Sequence, residues 1–235
     1  MFKKLYDYLK SFSDLFYPDL CIACHENEKD VHNAFCFDCY SKLPFTNFNN
    51  FSDNEFISHF KGKLEIEMGN ALFFFVKQGI VQGLIQELKY KNKPQYGIIL
   101  GEIMGETRFG DAIKENADII IPVPLHKSKE NKRGYNQSKM FAQGLSNSTG
   151  KPISINNLIR TKNTSTQTKM NREQRIENLK NAFEVSDAEE FTGKHILLVD
   201  DVLTTGSTLL ECASVINQIP QIKISFATIA MGEPV

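Results

Sequence analysis

Tryptophan is absent from the 235 residues, and net charge nearly so: 27 Lys and Arg stand against 28 Asp and Glu, a formal charge of -1. That balance excludes a wholly basic body built to coat a polyanion and leaves only local basic patches to meet phosphate. Long apolar runs are missing too. Nothing approaches the ~20 apolar residues of a membrane helix, so no membrane span is expected. The opening MFKKLYDYLKSFSDLFYPDL has early lysines but lacks the uninterrupted apolar core of a secretory signal peptide. Its apolar positions, Phe2, Leu5, Leu9, Phe12 and Phe16, keep a helical spacing and predict an amphipathic helix. A cytoplasmic chain is the expectation. What is present, 41% hydrophobic residues, suffices for one sizeable core and a small appendage.

Cysteine is scarce outside one stretch. Of five cysteines, Cys21, Cys24, Cys36 and Cys39 fall in CIACHENEKDVHNAFCFDC. Two Cys-x-x-Cys knuckles joined by a short polar loop match a structural four-thiolate zinc site with no open coordination position. Two disulfides are the alternative, which a cytoplasmic chain disfavours. His25 and His32 are expected to face solvent, and Cys212, alone in a helical pattern, to be an inert core residue. Phe35, Phe37 and Tyr40 interleave with the cysteines, where they either pack the small module or stack bases.

From Pro44 to Phe60 the chain turns rich in Asn, Phe and Ser, with weak periodicity, and reads as a connector. Three regions follow: residues 1–43 with the helix and zinc knuckle, 44–70 as connector, and 71–235 as the main domain. There, ALFFFVKQ predicts a strand, and two helices break at Lys93-Pro94. Beyond them DIIIPVPL, the stretch near LIR, NAFEV, ILLVD and IKISFATIAM predict strands, with helices at GYNQSKMFAQGLSNS and STLLECASVINQ. This alternation predicts an α/β fold with a mainly parallel sheet flanked by helices, its ligand beyond the carboxyl ends of the strands.

The chemistry concentrates in ILLVDDVLTTGST, residues 196–208. Asp200 and Asp201 are expected to emerge where the apolar strand ends. Thr204, Thr205, Gly206, Ser207 and Thr208 then lead into a helix whose free N–H groups, dipole and hydroxyls form a phosphate cradle, with Gly206 allowing close approach. Two carboxylates repel phosphate and suit vicinal sugar hydroxyls or Mg²⁺ instead. A ribose phosphate satisfies both halves. A Walker B reading fails because no G-x-x-x-x-G-K-[ST] is present, and too little chain follows Asp201 for a receiver domain. A capped helix after a buried strand accounts for one acid and one threonine only.

The thirteen residues resemble the phosphoribosyl-pyrophosphate (PRPP) signature of type I phosphoribosyltransferases. That resemblance implies that Asp200 and Asp201 bind the ribose hydroxyls, and Thr204, Thr205, Gly206, Ser207 and Thr208 the 5′-phosphate of Mg²⁺-PRPP. From Cys21 onward, the zinc knuckle, IIPVPLHKSKENKRGYNQS, RTKNTSTQTKMNREQRIENLKNAFEV and the PRPP loop follow the order of the ComF family, known from natural competence and described as amidophosphoribosyltransferase-like. The resemblance makes Leu125, His126, Lys127 and Arg133 candidates for the pyrophosphate loop. Gln167, Arg175, Asn178 and Phe183 become candidates for a flexible hood, a basic loop that also suits single-stranded DNA. Phe2 rather than Cys follows Met1, so glutamine use is not expected. Two functions compete: phosphoribosyl transfer to an unknown acceptor, or a non-catalytic protein that senses PRPP while binding single-stranded DNA or a competence partner such as a helicase or DNA-processing protein.

Overall fold

The computed structural model describes residues 20–162 and 182–233. The helix expected over residues 2–16 and the hood candidates Gln167, Arg175 and Asn178 lie outside the described residues. Two compact units divide between Leu43 and Pro44. The first is small. Isolated antiparallel bridges join Leu20 to Glu28 and Val31 to Phe35, and a short helix, α1 (Phe37–Ser41), follows. Cys21, Ala34 and Phe35 have no exposed surface and form its interior.

The larger unit runs through α2 (Glu55–Ser58), β1 (Gly69–Phe75), α3 (Ile80–Tyr90), α4 (Pro94–Gly105), α5 (Arg108–Asn116), β2 (Ile119–Pro122), α6 (Lys127–Arg133), α7 (Gln137–Thr149), β3 (Leu158–Arg160), β4 (Phe183–Val185), β5 (His195–Leu203), α8 (Ser207–Ile216) and β6 (Lys223–Gly232). Four strands form a parallel sheet in the order β1-β6-β5-β2, and β3 pairs antiparallel with β4. His195 to Val199 in β5 and Ile224 to Met231 in β6 are buried at every position, because helices and loops cover both faces. Both runs are mostly apolar, as such strands require, with His195, Ser225 and Thr228 the polar exceptions.

Helices α4 and α7 approach through glycine. A Cβ on Gly101 would lie 2.2 Å from the Phe141 carbonyl oxygen, and one on Gly144 would lie 1.9 Å from that of Ile98. The backbones touch where side chains normally intervene.

Three expectations need correction. The stretch read as a connector is integral to the larger unit: Phe56 and Phe60 are fully buried, and the Phe60 ring stands 4.8 Å from that of Phe226. Its Asn content is used locally, with Asn54 Oδ1 accepting from Ile57 N at 3.0 Å to cap α2. Helix α5 was not anticipated, since RFGDAIKEN supplies only Phe109, Gly110 and Ile113 to the interior. Nor was α6, which buries nothing and sits where a loop was expected.

Candidate functional site

Strand β5 outruns β2. The β2 pairing ends at Pro122 opposite Val199, and after Val123 N donates to Val199 O at 2.9 Å the β2 chain departs. Beyond Val199 one flank of β5 is open, and the amino end of α7 occupies it. Asn136 bridges the gap: its Nδ2 donates to Val123 O at 2.9 Å, and its Oδ1 accepts from Ser138 N at 3.0 Å. Ser138 Oγ then donates to Asp200 Oδ1 at 2.8 Å. Asp200 and Asp201 therefore sit within the strand, which continues to Leu203, rather than after its end as the sequence suggested.

Asp200 Oδ1 also accepts from the Asp201 backbone N–H at 2.9 Å. Burial first, and then the adjacent Asp201 carboxylate, push Asp200 up to about 7 against these stabilising bonds. Asp201 is paired instead with Lys89 near the end of α3, Oδ2 to Nζ 2.9 Å, with both side chains about four-fifths buried. The two acids thus differ in charge balance: one is held by hydroxyl and amide, the other by a cation.

The loop that follows turns at Gly206, whose φ of 74° falls in the left-handed region that favours glycine. Gly206 is the N-cap of α8 and has no side chain to cap it, while Thr205 Oγ1 accepts from Ser207 N at 3.4 Å. The first-turn N–H groups of α8 lack intrahelical partners. Thr205 Oγ1 and Ser207 Oγ are 2.9 Å apart. The space above the Gly206 α-carbon belongs to Phe60, 2.9 Å from where a Cβ would stand. This glycine serves the turn and lies against an aromatic ring.

Cations flank the acids. Arg133 Nη1 donates to Gln137 Oε1 at 2.7 Å, and its guanidinium lies 5.6 Å from the Tyr90 ring centroid. Tyr135 donates its hydroxyl to Leu88 O, tying α3 to the segment before α7. Lys129 is lowered by burial and by the charges of Arg160 and Arg133. Arg160, at the end of β3, is lowered by burial and raised by Cys212 and Asp200, so it links this basic group to the acid pair. Leu125 and His126 are half-buried at the start of α6, where His126 Nδ1 accepts from Ser128 N at 3.2 Å, and Lys127 is exposed. Sequence reasoning missed Lys89, Ser138 and Arg160 as site residues. Each arrives from a distant element with no spacing signal, and only tertiary structure brings it to the acids. Cys212 is fully buried in α8, and burial pushes its thiol well up, which suits a packing role.

In the small unit the sulfurs of Cys21, Cys24, Cys36 and Cys39 all lie within 4.8 Å of one another, and none is in a disulfide. A tetrahedral ion with ~2.3 Å sulfur bonds needs sulfurs roughly 3.8 Å apart, so little movement is required. Amides already point at them. Ala23 N donates to Cys21 Sγ at 3.4 Å and Cys39 N to Cys36 Sγ at 3.5 Å. Backbone bonds from Asn27 and Glu26 lower Cys24 to about 6, whereas burial raises Cys39. The four sulfurs can hold one metal ion. His25 and His32 are exposed. Of the interleaved aromatics, Phe35 is fully buried, Tyr40 packs 6.1 Å from it, and Phe37 is 72% exposed.

A parallel α/β sheet with an acid pair in one strand and a glycine-capped helix after it is the setting of a phosphoribosyltransferase-type domain, and residues 131–232 match the phosphoribosyl transferase domain family. The chain is also 30% identical over 215 residues to competence protein F of Haemophilus influenzae, covering 87% of this chain and 93% of that protein. It belongs to the ComF family. DNA utilization protein YhgH of Escherichia coli O157:H7 is 33% identical over 138 residues, 57% of this chain and 59% of that protein. A glutamine PRPP amidotransferase from B. subtilis, solved with ADP and GMP, is 15% identical at a TM-score of 0.41, covering 61% of this chain and 30% of that chain.

Proposed function

We propose that the chain binds Mg²⁺-PRPP and transfers its phosphoribosyl group to an acceptor in the service of DNA uptake. The observation that carries this reading is the partly buried acid pair of β5 followed at once by the amino end of α8, whose N-cap is a glycine. In it, Asp200 and Asp201 hold the ribose hydroxyls, and Thr204 to Thr208 hold the 5′-phosphate against free N–H groups and the helix dipole. Lys89, now bound to Asp201, gives way to the sugar or its metal. Lys129, Arg133 and Arg160, with Leu125, His126 and Lys127 leading into α6, receive the departing pyrophosphate and stabilise its charge. Bound Mg²⁺ would supply further neutralisation of that leaving group. The family resemblance also assigns Gln167 and Arg175, outside the described residues, to this ligand.

Zinc at Cys21, Cys24, Cys36 and Cys39 holds the small unit together, in the reduced state that a cytoplasmic setting maintains. The competence role rests on the relatives' names and on this family membership. A second reading keeps PRPP as a sensed ligand and gives single-stranded DNA or a competence partner to the exposed Phe37 ring and the basic hood.

Pyrophosphate release from Mg²⁺-PRPP across a panel of amine, nucleobase and nucleic-acid acceptors separates the two. The enzyme reading requires acceptor-dependent release that vanishes in Asp200→Asn/Asp201→Asn. PRPP binding without release by any acceptor favours the sensing reading.

A further inference from the structure

A second cavity opens at the other edge of the sheet. It measures about 150 Å³ and lies between β1, the amino end of α5 and residues 45–51. None of its lining belongs to β5, the 204–208 loop or the basic group. Asn70 in β1 pairs through Ala227 with Val199, so the cavity stands level with the acid pair but two strands away, about 10 Å across the sheet.

The walls are aromatic and individually buttressed. Phe45 rests on Phe73 at 4.9 Å, Phe48 meets Phe74 edge-on at 6.0 Å, and Phe51 meets Phe109 at 4.9 Å. The floor is polar. Asn70 is 7% exposed, and its amide lies 3.2 Å from Thr46 Oγ1, whose hydroxyl donates to Ala71 O at 2.6 Å.

The mouth favours negative charge. Thr107, the N-cap of α5, turns its hydroxyl to Met104 O at 2.6 Å, so no side chain caps the helix. Its free N–H groups stand beside Arg108, which spends one donor on Asn49 Oδ1 at 3.2 Å and keeps the rest of its fork. Whole small-molecule pockets occupy roughly 300–1,000 Å³. A space of half the lower bound takes one flat ring system, with any charged remainder at the mouth.

We propose that this cavity is a nucleotide site. The base lies among Phe45, Phe48 and Phe51 with its edge on the Asn70 amide, and the phosphate sits between Arg108 and the amino end of α5. The nucleotide is either free or a unit of a single strand, and the chemistry is the same. The site is independent of the PRPP reading.

The test titrates the full chain with AMP, adenosine, inorganic phosphate and a 5′-phosphorylated oligothymidylate. It is done in a Thr205→Glu background, where a carboxylate blocks phosphate at the α8 loop. AMP or the oligonucleotide should saturate, adenosine and phosphate should bind at least tenfold more weakly than the nucleotide, and Arg108→Glu and Phe48→Ala should each weaken binding at least tenfold. Saturation by AMP identifies a free nucleotide, and by the oligonucleotide alone a strand. Unchanged thermal midpoints show that the variants fold, and Asn70→Leu replaces Phe48→Ala if that variant does not. Absence of saturable binding by both nucleotide probes, or binding that Arg108→Glu leaves intact, overturns the proposal. Neither result bears on Asp200 and Asp201.

Discussion

At the scale of single residues, Asp200 shows what the site costs the fold. Its folded value is raised from 3.8 to about 7, first by burial and then by Asp201. A carboxyl raised in this way binds a proton in the folded chain that the unfolded chain has already lost. Its contribution to stability is therefore present in acid and is lost as pH rises from about 4 through about 7. At ~1.4 kcal/mol per unit, the ligand-free protein should lose roughly 2–3 kcal/mol at most from this group between pH 5 and pH 8. Asp200→Asn, whose Oδ1 can still accept from Ser138, should not lose it. Urea denaturation at the two pH values measures the difference, and parallel profiles for the two proteins would contradict the burial account. The acid pair was legible in the sequence because an apolar run ending in two adjacent carboxylates is rare. Lys89 and Ser138 were not legible, since each contacts an acid through the packing of α3 or α7 and carries no local mark.

At the scale of elements, sequence reading found what has a period. Strands β1, β2, β5 and β6, helices α3, α7 and α8, and the Pro94 break into α4 were all visible in apolar patterning or turn chemistry. Helix α6 was not, because a helix that buries no side chain leaves no periodic trace. The packing role of residues 44–70 was hidden for the opposite reason: Phe56 and Phe60 are buried from a segment with almost no regular structure. The close contact of α4 with α7 is carried by what is missing, the side chains of Gly101 and Gly144. Gly144→Ala should cost about 3 kcal/mol or more, because its Cβ would meet backbone that cannot yield. Gly83→Ala in α3, with open space around it, should stabilise by about 0.5–1 kcal/mol. Denaturation midpoints of the pair check the claim, and equal effects would refute the close approach.

At the scale of the whole molecule, the chain is two units with different sources of stability. The larger has a continuous apolar core around a parallel sheet. Among its described residues the smaller has few fully buried side chains and four sulfurs in reach of one ion. Purified protein should carry one zinc per chain. Chelation should open residues 20–43 to hydrogen exchange while leaving protection in β5 and β6 unchanged. Metal-free protein with a fully protected small unit would contradict the zinc assignment.

Among the described residues no helix is long and apolar enough to cross a membrane. The chain matches the phosphoribosyl transferase domain family over residues 131–232, which include the ribose phosphate site proposed at β5 and α8. The most direct test of that site is calorimetric titration with PRPP, with and without Mg²⁺. The account predicts saturable binding that needs the metal and that weakens by about a hundredfold or more, ~3 kcal/mol, in Asp200→Asn/Asp201→Asn. Affinity unchanged by the double substitution would contradict it.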